Sequence, residues 1–270
     1  MTLLILIAGL AAMTYAEQEP HKRTYTNPTD GSVLVWIPGG EFHMGSMEGD
    51  EDERPVTRIR VEGFWLGEKE VTNRQYAQFM AATGHKAPPF WEDPHYNHPD
   101  QPVVGLRYLD VVAYCQWAGV RVPTEAEREY AAAVGSKQFR YGTATGELTH
   151  DLANFAGVGG RDTFDDVPAP VGSFPPNPFG LYDMAGNAWE WTSSLWKPYP
   201  YKADDGREDK TARGYRVMRG GCWHFGPYQC RVAYRQRHRD HLFYDYSGLR
   251  VALTTTPEIE AAAKVQAAVM

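Results

Sequence analysis

The amino-acid sequence predicts an α+β domain with low regular secondary structure. Three observations lead to this prediction: apolar and polar residues alternate only over short stretches, the helical patterns are short, and the segment between Gly135 and Pro178 follows neither period. That segment consists mainly of glycine, aspartate, proline and isolated aromatic residues, which form neither long helices nor long ladders. So long a stretch without periodic structure indicates a functional loop or an internal tie such as a metal ion.

The composition limits the classes of protein to consider. The 270 residues include 27 lysines and arginines against 34 aspartates and glutamates, for a net charge of -7. Because the basic residues are scattered, the chain offers no phosphate-binding surface, and we expect no nucleic-acid partner. The length and the 43% hydrophobic content suit one large core. We therefore expect a single domain over residues 32–256.

The first sixteen residues, MTLLILIAGLAAMTYA, resemble an export signal. An apolar run is followed by Thr14-Tyr15-Ala16, a small-x-small pattern that suits signal peptidase. Because only the terminal amine is positive ahead of the run, an uncleaved anchor and a misplaced start codon are alternatives. We expect residues 1–16 to be a signal peptide and residues 17–31 a linker. The mature protein is then periplasmic or secreted from a bacterium, without a stable membrane span.

Strand and helix signals follow in order along the first half of the chain. VLVWIPGGEFHMGS alternates around a Pro-Gly-Gly turn and predicts a hairpin, and VTRIRVEGFWLGEKEV predicts a second strand pair. Thr72 is placed to cap a helix that Gly84 ends. A second helix is predicted from about residue 109 to 117, and a third begins at a capping box between Thr124 and Glu127.

The second half carries fewer regular elements. The last strands are predicted in YRVMRGG, CRVAYRQR and SGLRVALTT. The alanine-rich tail, residues 257–270, is predicted to be a loose helix or a flexible segment.

The most specific signal is NPFGLYDMAGNAWEWTSSLW, residues 177–196. Six further blocks occur with it: IPGGEFHMGS, EVTNRQYAQF, PVVGLRYLDVVAYCQWAG, RVPTEAEREYAAA, the RGG at 219–221, and SGLRVAL. Together these blocks, which cover about residues 33 to 253, resemble the formylglycine-generating enzyme family, also called sulfatase-modifying factors. The resemblance implies the formylglycine-generating-enzyme fold, a variant of the C-type lectin fold, with structural calcium.

The resemblance implies two calcium sites. The first comprises the Asp183 carboxylate, the carbonyls of Gly186 and Ala188, and the Glu190 carboxylate. Hard oxygen donors so closely spaced through a glycine turn suit Ca²⁺. The second comprises the Asn154 side chain, the Phe155 carbonyl, Asp162 and the Phe164 carbonyl, across a loop that is re-spaced here. The alternative for both is turn capping by Asx side chains.

The cysteines depart from the family pattern. The resemblance implies two catalytic cysteines after RGG that bind Cu(I), an ion that prefers soft thiolates. Here Phe225 stands at the first cysteine position, Cys230 matches the second, and Cys222 takes a serine position. Cys222 and Cys230 are therefore a disulfide, free thiols or a rearranged copper pair. We expect the remaining cysteine, Cys115, to be a buried thiol.

An active cleft would draw on other side chains near these cysteines. His224 or Tyr228 would transfer protons, and Arg235 would bind a carboxylate or a peptide carbonyl through its fork of donors. Trp189 is either a substrate platform or a core anchor. Two histidine groups are weaker metal candidates, because polar loops commonly face solvent: His238, Asp240 and His241, and His85, His95 and His98.

The sequence therefore predicts an exported oxidoreductase or maturation factor that acts on a protein, a peptide or a peptide-like natural product. The family resemblance supports this hypothesis, since some exported relatives without the cysteine pair oxidise a siderophore precursor. One alternative is a non-catalytic lectin-like binding or assembly module, because fold alone does not determine function. Another is genuine formylglycine generation at a rearranged Cys222/Cys230 site.

Overall fold

The computed structural model describes residues 22–157, 163–164 and 166–268. The predicted signal peptide lies outside these residues. The described residues form two four-stranded sheets, one two-stranded sheet and four short α-helices, in agreement with the prediction of low regular structure. The strands are β1 Thr24–Thr26, β2 Val33–Ile37, β3 Gly40–Met44, β4 Thr57–Val61, β5 Phe64–Gly67, β6 Trp189–Leu195, β7 Tyr215–Arg219, β8 Gln236–Arg239, β9 Ser247–Gly248 and β10 Ala252–Thr254. The helices are α1 Asn73–Thr83, α2 Tyr108–Ala118, α3 Glu125–Ala132 and α4 Pro257–Ala267.

The two predicted hairpins are wrong, although their strands exist. β2 pairs with β1 and β5, whereas β3 pairs with β4, so the chain leaves one sheet after Ile37 and returns to it at Phe64. The two corners touch, because a Cβ on Gly39 would lie 2.7 Å from the nitrogen of Gly63. A glycine-rich turn shows where the chain bends, but it does not determine which strand supplies the pairing partner.

The helix termini follow the sequence signals. The Thr72 side chain accepts from the N–H of Gln75 at the start of α1, and Gly84 ends that helix with φ of 72°. The capping box between Thr124 and Glu127 is present at the start of α3. These local predictions are confirmed because a cap needs only residues within one turn.

Within the described residues, the predicted linker contains a strand and the predicted tail contains a helix. β1 lies within residues 17–31, and α4 packs against it from the other end of the chain. The Gln266 side chain accepts from the N–H of Thr26 at 2.7 Å and donates to its carbonyl at 3.0 Å. Arg23 forms an ion pair with Glu260 at 2.5 Å. Each segment looks unstructured alone because its partner is distant in sequence.

The third sheet, in the order β8-β7-β6-β9, leads to the candidate site. β6 places Trp189 and Trp191 in the core, where both are fully buried. The strand predicted in CRVAYRQR begins only at Gln236, because residues 231–234 form a turn closed by the Tyr234 N–H and the Arg231 carbonyl. In the described part of the chain, no helix combines the length and hydrophobicity that a membrane crossing needs.

Candidate functional site

The segment after β7 folds back tightly on itself. Gly220 and Gly221 have φ of 108° and 79°, a region that favours glycine. A Cβ on Gly221 would lie 2.6 Å from the Sγ of Cys230, so any larger residue there would displace the cysteine. This turn places Cys222 and Cys230 close together in the interior, where both are almost fully buried.

The structure supports the free-thiol alternative for this pair. Cys222, Cys230 and Cys115 are all free and buried. Burial raises the pKa of Cys222 well above its ordinary value and that of Cys230 to about 12. Copper binds the thiolate form of cysteine. Because Phe225 stands at the position of the family's first cysteine, Cys230 is the one sulfur at a family ligand position, and the Cu(I) pair that the resemblance implies is incomplete here.

Aromatic rings surround His224, which lies two residues after Cys222. Its ring lies 4.9 Å from Phe225, 5.2 Å from Tyr246 and 5.3 Å from Trp223, measured between centroids. We call these four residues the His224 cluster. His224 is partly exposed, and burial lowers its pKa, so the imidazole is neutral near neutral pH. The cluster thus combines a proton acceptor with an aromatic wall.

Trp189 lies behind the cluster. It is fully buried, and its ring packs against Phe225 at 6.0 Å and against Tyr234 at 5.9 Å. A fully buried side chain offers no face to a substrate, so Trp189 is a core anchor and not a platform.

Tyr228 lies at the surface and is hydrogen-bonded to Asp50 in the loop between β3 and β4. Its hydroxyl donates to Asp50 at 2.6 Å, which raises the pKa of the phenol. The guanidinium of Arg231 lies 4.1 Å from the centre of the Tyr228 ring, while Arg231 itself pairs with buried Glu53. Because its hydroxyl is held in a hydrogen bond to Asp50 and its pKa is raised, Tyr228 is less suited to proton transfer than His224.

The expectation that Arg235 binds a substrate is wrong. The side chain is buried, and its Nε donates to Glu125 at 2.6 Å. Its terminal nitrogens donate to the carbonyls of Asp52 and Lys197 at 2.8 and 3.1 Å. Because every group of the fork has an internal partner, Arg235 stabilises the interior. The sequence could not show this, since Glu125 lies 110 residues away.

The first predicted calcium loop, residues 183–190, is hydrogen-bonded to the segment that carries His224. The Gly186 N–H donates to the carbonyl of Gly220 at 2.8 Å, and the Asn187 carbonyl accepts from Trp223 at 3.1 Å. Glu70, which the sequence analysis did not single out, accepts from Asn187 at 2.7 Å and from the Ala188 N–H at 3.0 Å. Burial, followed by the nearby Asp183 charge, raises the pKa of Glu70 well above its ordinary value.

The two carboxylates predicted for this calcium site differ in their fit to a cation. Asp183 accepts from the Gly172 N–H at 2.6 Å through Oδ2, whereas its buried Oδ1 has no hydrogen-bond partner. Burial raises the pKa of Asp183 to about 6. Glu190 does not fit, because one oxygen accepts from Arg128 at 2.5 Å and the other from Arg250 at 2.9 Å. Although burial opposes it, these guanidiniums hold the pKa of Glu190 below its ordinary value.

The second predicted calcium site is described only in part. The Asn154 amide donates to the carbonyl of Val167 at 2.9 Å, and the Phe155 ring stacks on His150 at 4.2 Å. Phe164 is described, but Asp162 lies outside the described residues. Calcium at this site stays a prediction.

The two weaker histidine groups do not converge. In the described ranges, no three His, Cys, Asp or Glu side chains are placed to share a metal ion. His238 is buried against Tyr244, whereas Asp240 pairs with Arg213 and with the exposed His241. His85 and His95 bind different aspartates, Asp110 and Asp93, which separates them. Charged partners and aromatic packing therefore account for these side chains.

Comparison with known proteins decides the family. Residues 17–255 match the model of the sulfatase-modifying factor enzyme 1-like domain. The chain belongs to the sulfatase-modifying factor family. It is 32% identical over 289 residues to the formylglycine-generating enzyme of Streptomyces coelicolor, covering 86% of this chain and 90% of that one. The predicted fold class is confirmed as well, since the structure of PvdO from Pseudomonas aeruginosa matches with a TM-score of 0.72 at 29% identity, over 85% of this chain and 97% of PvdO.

Another relative of this chain is a longer protein that is named as a kinase. The serine/threonine-protein kinase pkn1 of Chlamydia caviae is 34% identical over 246 residues, which cover 81% of this chain. The chain spans 37% of the length of that relative. The similarity therefore concerns one part of the longer protein.

Proposed function

We propose that this protein is an exported member of the sulfatase-modifying factor family that binds a peptide or peptide-like molecule at the His224 cluster and oxidises it without a copper–thiolate centre. The observation that carries the proposal is the partly exposed, neutral imidazole of His224 within an aromatic wall. Export rests on the apolar N-terminal segment, residues 1–16.

The cluster has side chains for binding and for proton transfer. The exposed parts of Phe225 and His224 offer flat surfaces against which an aromatic or apolar substrate group packs. His224 accepts a proton from the substrate, because burial keeps its imidazole neutral. An electron pair and two protons leave the substrate in the overall oxidation. Dioxygen accepts them and becomes hydrogen peroxide.

The test uses purified protein, air-saturated buffer with EDTA, and a panel of synthetic peptides containing cysteine, tyrosine or histidine. We expect a loss of two hydrogens by mass spectrometry, with one equivalent of peroxide. His224→Phe should keep peptide binding and lose turnover, because the ring remains and the proton acceptor does not. His241→Phe, at an exposed histidine, is the matched control. Turnover that requires copper and a sulfatase-type cysteine peptide would refute the proposal.

A non-catalytic binding module is the second candidate. The buried, protonated thiols and the packed ring of Phe225 favour it, because they leave this segment without the family's reactive sulfur. In that case wild type and His224→Phe would bind the same peptides, and neither would change their mass. Phe225→Cys separates the two further, since copper-dependent oxidation in this variant would identify a catalytic cleft that has lost one ligand.

A further inference from the structure

Two guanidinium groups tie the start of the 183–190 loop to its end. Arg128 donates to Glu190 at 2.5 Å and to the carbonyl of Met184 at 3.1 Å. Arg250 donates to the other oxygen of Glu190 at 2.9 Å and to the carbonyl of Tyr182 at 2.8 Å. The two carbonyls flank Asp183, so both arginines join the same two parts of the loop.

These contacts are the kind that a calcium ion makes. Calcium orders a loop by collecting carboxylate and carbonyl oxygens around one positive centre. Here each guanidinium binds one Glu190 oxygen and one backbone carbonyl next to Asp183, and its charge is positive, as that of calcium is. Arg128, Arg250 and Glu190 are at most 1% exposed, so the pairing is shielded from water.

We propose that Arg128 and Arg250 take the place of calcium at the first predicted site, so that the 183–190 loop is ordered without a divalent cation. Glu190 has one negative charge and two positive partners, and a divalent cation beside it would be repelled by both guanidiniums. Without Glu190, the predicted set keeps the free oxygen of Asp183 and the carbonyls of Gly186 and Ala188, which are fewer than the six to eight oxygen ligands that calcium takes. The positive charges at this loop thus come from two side chains, Arg128 in α3 and Arg250 in the segment between β9 and β10.

The first test measures calcium binding to the wild-type protein by calorimetry, with its melting temperature in CaCl₂ and in EGTA. We expect no binding that depends on Asp183. Heats that persist in Asp183→Asn place calcium elsewhere and support the proposal. Binding by the wild type that Asp183→Asn abolishes would overturn it.

The second test removes one guanidinium. Arg128→Met frees one oxygen of Glu190 and the carbonyl of Met184, so we expect calcium to bind this loop at least about tenfold more tightly than the detection limit set by the wild-type titration. The melting temperature of Arg128→Met should also be higher in CaCl₂ than in EGTA. Arg121→Met is the matched control, because Arg121 pairs with Glu127 at 2.6 Å near the same helix but outside the loop. A folded Arg128→Met protein without a calcium response would contradict the proposal, and if this variant does not fold, the wild-type test still decides.

Discussion

The ring of Phe225 meets the ring of Trp189 nearly edge-on, with centroids 6.0 Å apart and planes inclined at 83°. The same ring lies 5.5 Å from Tyr246. Where the family resemblance places a reactive cysteine, this chain therefore has a packed aromatic side chain.

Phe225→Ala should destabilise the protein by about 2 kcal/mol, less than a fully buried phenylalanine because the ring is partly exposed. Urea unfolding followed by tryptophan fluorescence measures the difference in free energy. Phe243→Ala, at an exposed ring, should change it by less than about 0.5 kcal/mol. Equal effects of the two substitutions would show that Phe225 is not part of the core packing.

Arg235→Met should lower the free energy of unfolding by about 3 kcal/mol, because the change breaks a buried pair and leaves Glu125 with fewer donors. Chemical denaturation of the purified variant measures this loss. Arg237→Met removes an exposed arginine from the neighbouring strand and should have little effect. Lost peptide binding in Arg235→Met at unchanged stability would instead favour a substrate contact.

The stability should depend on pH through His238. Burial lowers the pKa of His238 from 6.5 to about 4. Its contribution is complete above pH 6.5 and is lost as the pH falls towards 4, because the unfolded chain takes up the proton first. His238→Phe should remove about 2 kcal/mol of this acid-induced loss, measured by urea unfolding across that range. His241→Asn should keep the wild-type slope, and an unchanged slope in His238→Phe would contradict the assignment.

Cys115, Cys222 and Cys230 should resist alkylation in the native protein. All three are buried, and burial raises the pKa of each thiol, so little thiolate is present to react. Intact mass after iodoacetamide treatment should show no adduct under native conditions and three adducts in denaturant. Rapid native labelling of Cys222, or a disulfide between Cys222 and Cys230 in unreduced peptides, would refute this prediction.

The sequence by itself determined the features that depend on neighbouring residues. Thr72, Gly84 and the Thr124–Glu127 box marked helix ends, because capping is completed within one turn. The ordered motif blocks also determined the family and the fold. The His224 segment was identified for the same reason, since RGG and the cysteine spacing are local.

Only the tertiary structure decided how distant residues meet. It placed the strands beside the Gly39 and Gly63 corners in different sheets, and it gave Arg235 an internal partner. It likewise occupied Glu190 with two arginines, of which Arg128 lies 62 residues away in sequence. A carboxylate looks the same in a sequence whether its counter-charge is an arginine or a metal ion. The choice depends on which cation the fold brings within bonding distance.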